Sequence, residues 1–120
     1  MIFEGVVVKG AQVAKEKFGL PTANIWVDTT AEEGVFVGEV VINAQSYPAL
    51  VFIGTPSLNS ESTKRAEVHA FNYAGLDFYG EAIKISPSEK LRDNQNFKDW
   101  EEAKLVIAQD IKTAKLLLNL

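Results

Sequence analysis

The sequence predicts an α+β fold, mainly β: a small antiparallel barrel closed on one side or end by a C-terminal amphipathic helix. Three observations carry this. Short β-branched apolar stretches recur along most of the chain, turn-forming residues separate them, and the hydrophobic period becomes helical only in the last quarter. Phe3 to Val8, Val35 to Ile42 around Gly38, and Ala49 to Ile53 read as strands, and Ile25-Trp26-Val27 as a short strand ending the long connection from Lys9 to Asp28. Asn43-Ala44-Gln45-Ser46 reads as a hairpin turn before Tyr47, and Gly54 to Ser60 as a loop that continues through Glu61 to Arg65. A strand over Ala66 to Tyr73 would put Val68, Ala70 and Asn72 on one face and Glu67, His69, Phe71 and Tyr73 on the other. Gly80 to Ser86 is a further strand, ended by Pro87. From Trp100 the apolar residues fall at Ala103, Ile107, Ile111, Ala114 and Leu118, one face of a helix, with Asp99 as N-cap and Glu102 three residues on. One such helix cannot bury its stripe alone, so it must pack on the β structure.

The chain has 120 residues, which fits one domain over 1–120 with a real core. It has no apolar run long enough to cross a bilayer and no basic-then-apolar start, so the expectation is a cytoplasmic, monomeric protein with no membrane partner. Cysteine is absent, which excludes disulfides and thiolate zinc, and the single histidine argues against sites built on several imidazoles. A net charge of −4 disfavours a small barrel that binds single-stranded nucleic acid, because such binding rests on Lys and Arg neutralising phosphate.

The run Phe18-Gly19-Leu20-Pro21-Thr22-Ala23-Asn24 combines a flexible residue, a rigid one and two small oxygen-bearing side chains. If Thr22 to Asn24 is extended, the Thr22 hydroxyl and Asn24 amide share a face and form part of a seat for Mg²⁺, which takes its other ligands from water and phosphate. The run also reads as a turn entering a strand. Gly10 and Gly19 bracket a segment carrying Lys15 and Lys17 that either folds over phosphates or is a surface loop. Neither a P-loop nor a dinucleotide fingerprint is present. Glu67, on a strand, is placed to accept a proton from an attacking hydroxyl or is an exposed strand residue; His69 beside it packs or orients. Arg92 and Phe97 put a guanidinium and a ring before the helix, a pairing able to grip a planar polar ligand or to serve helix entry.

Gly10 with Gly19-Leu20-Pro21-Thr22-Ala23-Asn24-Ile25, then Gly34-Val35-Phe36, Ile53-Gly54-Thr55-Pro56, Glu67-Val68-His69, Asp77-Phe78-Tyr79-Gly80 and Leu91-Arg92 with Phe97 form an ordered set that resembles the riboflavin kinase family over nearly the whole chain. The resemblance implies a six-stranded antiparallel Greek-key-like barrel with a C-terminal helix. It implies transfer of the ATP γ-phosphoryl group to the 5′-hydroxyl of riboflavin, giving FMN and ADP. On this chain it makes Glu67 the catalytic base and gives Thr22 and Asn24 to Mg²⁺. Gly10, Gly19, Thr22, Asn72 and Tyr79 would serve the nucleotide, and Arg92, Gln95 and Phe97 the flavin; Lys15 and Lys17, which the resemblance does not supply, are read from the segment itself as the charge that would meet the phosphates. One departure is the interval Ala11 to Phe18, where the family carries a glycine- and arginine-rich loop. It motivates an alternative, a non-catalytic flavin-binding or regulatory module. The accompanying adenylyltransferase domain of many bacterial relatives has no counterpart in these residues, so FAD synthesis is not expected.

Overall fold

The computed structural model describes residues 2–8, 22–55, 64–73 and 81–120. Six strands, β1 (Phe3–Val6), β2 (Thr22–Val27), β3 (Gly34–Ile42), β4 (Gln45–Gly54), β5 (Lys64–Ala70) and β6 (Ala82–Arg92), precede one helix, α1 (Trp100–Leu117). They form a single antiparallel sheet in the order β1-β6-β3-β4-β5-β2. Its two edges meet where the Val8 N–H donates to the Asn24 carbonyl at 2.7 Å, so the sheet is a nearly closed barrel. Closure removes most of the open edge that a sheet must otherwise protect.

Alternation along the strands sorts the side chains. Ala23 and Ile25, Phe36, Val40 and Ile42, Ala49, Val51 and Ile53, and Ala66, Val68 and Ala70 fill the barrel interior. On the outer face Val35, Val37, Leu50 and Phe71 pack with Ala114 of α1, flanked by Ile111 and Leu118, so the helix lies on the barrel wall as the stripe requires. Asp99 caps α1 by accepting from the Glu102 N–H at 2.9 Å, and Glu101 and Glu102 set negative charge against the helix N-terminus.

Several boundaries differ from the sequence reading. The β3–β4 turn is only Asn43-Ala44, both left-handed (φ 51° and 65°), a two-residue hairpin of the hand that matches strand twist, and pairing resumes at Gln45. Strand β6 does not stop before Pro87 but runs through it to Arg92. Pairing with β3 shifts register between Val37 and Gly38, so Pro87 sits at a bulge, where a missing N–H is tolerated. Gly38 lies opposite and has no Cβ to strike the Pro87 backbone. Tyr73 leaves the face of Glu67 and His69, because Asn72 at φ 64° ends the pleat, and its ring meets Tyr47 edge-on at 5.1 Å on the core side.

Candidate functional site

The ladder between β2 and β5 sets Asn24 opposite Glu67 and Thr22 opposite His69. Directly opposed residues on an antiparallel pair share a face, with Cβ atoms about 5 Å apart. Asn24 and Glu67 therefore emerge together on the outer face of the barrel, and both line a cleft of about 780 Å³. Its far wall is the segment Asn94 to Phe97 with Arg92 and Ile107, and Phe52, Gly54 and Arg65 complete the near side. Three hydrogen bonds fix the far wall. Asn94 Nδ2 donates to the Ile53 carbonyl at 2.9 Å, and Arg92 forks onto Asp110 of α1, Nε to Oδ1 at 2.9 Å and Nη2 to Oδ2 at 2.7 Å. Gly54 makes room for that contact, since a Cβ there would lie 2.9 Å from Asn94 Nδ2. Outside the cleft Lys90 reaches Glu32 at 3.0 Å and Asp93 at 2.5 Å, tying the β2–β3 connection to the same wall.

Burial pushes the Glu67 carboxyl above its ordinary range, and the Arg65 guanidinium offsets part of that rise. Its side chain remains 36% exposed, so a ligand in the cleft can reach it. His69, 2% exposed, has its Nε2 3.5 Å from Glu67 Oε1 and its ring edge-on to Phe52 at 5.1 Å. Burial lowers its pKa to about 4, so it is neutral at pH 7. A carboxylate with raised basicity, held on a strand paired on both sides, can take a proton from a hydroxyl laid in the cleft.

Of the residues anticipated from sequence, the structure brings Asn24, Glu67, Arg92, Gln95 and Phe97 to one cleft. Asn72 is exposed in the turn after β5 and is not part of this lining. Thr22 is placed only through its backbone pairing with His69. Gly10, Lys15, Lys17, Gly19 and Tyr79 lie outside the described residues. Sequence reasoning missed Phe52, Arg65, Asn94 and Asp110. The one usable signal was Asp110 itself, an acid three residues after Ile107 and one before Ile111 that the helical period turns inward.

The profile of the riboflavin kinase (flavokinase) family matches residues 1–118. The chain belongs to this family. Family relatives include the trifunctional protein RibF/MnmA of Mycoplasmoides gallisepticum, 32% identical over 114 residues that make up 92% of this chain and 17% of that protein. Human riboflavin kinase is 29% identical over 123 residues, covering 97% of this chain and 79% of the relative. Among solved structures, riboflavin kinase from Trypanosoma brucei superposes with a TM-score of 0.66 at 26% identity, over 98% of this chain and 79% of that one. The chain spans only 17% to 48% of the length of the first seven curated relatives. Among the described residues no helix is long and apolar enough to cross a membrane, and no group of three or more His, Cys, Asp or Glu is placed to hold a metal.

Proposed function

We propose that this chain is a riboflavin kinase that moves the γ-phosphoryl group of ATP to the 5′-hydroxyl of riboflavin. The observation that carries the reading is Glu67: a carboxyl of raised basicity, opposed to Asn24, at the floor of a cleft whose volume suits a tricyclic ligand. In the reaction the ribityl oxygen bonds to phosphorus, the bond from phosphorus to the bridging oxygen of ADP breaks, and the hydroxyl proton passes to Glu67. Arg92, Gln95 and Phe97 hold the flavin against the far wall. The nucleotide lies towards Thr22 and Asn24, with Gly10, Lys15, Lys17, Gly19, Asn72 and Tyr79 serving it. In this reading residues 1–120 work as one domain and as a monomer on small molecules.

The donor set suits Mg²⁺. Asn24 offers a neutral amide oxygen beside one carboxylate rather than a cage of acids, which fits an ion that keeps waters and takes its remaining ligands from phosphate. Asn24, with Thr22 two residues earlier, would hold it. Bound there it would neutralise phosphate charge, and the positioning of the two substrates falls to the protein.

Incubation with riboflavin, ATP and Mg²⁺, followed by separation of the flavins, tests the reading. FMN should form, and Glu67→Gln should lower its rate by roughly 10²- to 10⁴-fold while riboflavin binding changes little. Because burial raises the Glu67 pKa, the rate at low pH should be limited by its protonation and should climb as pH rises through that raised value. Undiminished turnover in Glu67→Gln would remove the base from the mechanism.

A further inference from the structure

Two arginines, Arg65 and Arg92, line the cleft, and among the described residues their guanidinium groups are engaged differently. Arg92 gives Nε and Nη2 to Asp110 and Nη1 to the Asp93 carbonyl at 3.0 Å. The Arg65 guanidinium, by contrast, donates no hydrogen bond and enters no ion pair among the described residues. Its guanidinium carbon stands 5.4 Å from the centre of the Trp26 ring, which is its cross-strand partner and is half exposed. Stacking on an aromatic face restricts the guanidinium without consuming its N–H groups. Arg65 is two residues before Glu67, hence on the same face of β5 and about 7 Å along the strand, within reach of a long side chain. The two are electrostatically coupled, since Arg65 lowers the pKa of Glu67.

This arrangement meets a need that the proposed reaction creates. Riboflavin is uncharged, but its product carries a phosphate next to the carboxyl that served as base, and once Glu67 has released the proton it took, two anions stand side by side and repel. A cation beside Glu67 relieves that repulsion. Arg92 cannot serve without abandoning the buried Asp110 carboxylate.

We infer that Arg65, stacked on Trp26, contacts the transferred phosphoryl group and makes the cleft bind phosphorylated flavin more tightly, relative to riboflavin, than it otherwise would. The inference rests on the riboflavin kinase reading. A residue that only covers Trp26 would affect stability and nothing else; a phosphate contact discriminates between two ligands that differ by one phosphate.

The test is a flavin-fluorescence titration of the full chain with riboflavin and with FMN, in wild type, Arg65→Ala and Arg65→Lys. Arg65→Ala should weaken FMN binding about tenfold or more while leaving riboflavin binding within about twofold, since charge-assisted contacts to phosphate are lost from one ligand only. Arg65→Lys should recover part of the difference, because an ammonium restores charge without the planar fork. The wild-type preference should shrink with added salt and that of Arg65→Ala should not. An FMN-to-riboflavin affinity ratio that is the same in wild type and Arg65→Ala overturns the role of Arg65 and leaves the kinase reading standing. Wild-type protein that binds neither flavin overturns both. Circular dichroism of each variant verifies the fold, and should Arg65→Ala be misfolded, Arg65→Gln supplies the uncharged comparison.

Discussion

Lowering the pH should destabilise this protein through His69. The imidazole lies edge-on to Phe52 at 5.1 Å and opposite Leu50 of β4, with Glu67 3.5 Å away. Its Nδ1 is buried and has no hydrogen-bond partner among the described residues, so protonation would bury a charge and a donor without an acceptor there. The folded-state pKa falls from 6.5 to about 4, and desolvation is the cause. A depressed value means that the folded state binds the proton less readily than the unfolded chain. The stability it contributes is therefore complete above pH 6.5 and is lost as pH falls from there through about 4. That interval corresponds to about 3 kcal/mol in total, of which about 2 kcal/mol is gone by pH 5. Glu67 runs the other way, because its raised pKa favours the folded state as pH falls, so the raw curve understates the histidine. Urea unfolding of wild type and His69→Phe between pH 7.5 and 4.5 isolates it: wild type should lose stability relative to the variant by roughly the stated amounts. A difference between the two that stays constant over that range would refute the argument, since no proton would then be linked to folding at this position.

The ion pair that anchors the far wall makes a separate prediction. Asp110→Ala would leave Arg92, 21% exposed, without its carboxylate partner; it should cost about 3 kcal/mol in denaturant unfolding and raise the riboflavin KM more than it lowers kcat. Gly38→Ala should cost about 1–3 kcal/mol in the same assay, because the new methyl would meet the Ser86 carbonyl and lie 2.8 Å from Pro87 Cα, both backbone atoms that cannot swing aside.

How much of this was legible in the sequence depended on how local the signal was. The helix and its Asp99 cap could be read because period and capping are properties of neighbouring residues. The strand at Val35 to Ile42 was legible for the same reason, and the structure extends it by one residue, Gly34. The passage of β6 through Pro87 was not, because a bulge is set by the partner strand, and the signal that explains it is Gly38, forty-nine residues earlier. Glu67 could be nominated as an acid on a strand, but its opposition to Asn24 is a matter of register, which no local pattern reports. Arg92 was nominated for a ligand, yet its fork onto Asp110 joins a strand end to the middle of a helix. Arg65 fell outside notice because its neighbourhood read as loop, whereas Lys64 already begins β5.

The site divides its parts between elements of unequal rigidity, and the division follows from what each part must do. A proton acceptor has to be held within a fraction of an ångström of its donor, and Glu67 sits on β5 with β2 paired on one side and β4 on the other. To move it, two ladders must break. The far wall has to admit a ligand, and Asn94 to Phe97 form no regular structure; the segment is tied by one amide donor, one arginine fork and the exposed Lys90 contacts. The amide donor and the Lys90 contacts can be exchanged for contacts to a flavin while the arginine fork stays on Asp110. Any adjustment on binding is therefore cheaper at the wall than at the base, which lets the chemistry keep its geometry while the cleft changes its width.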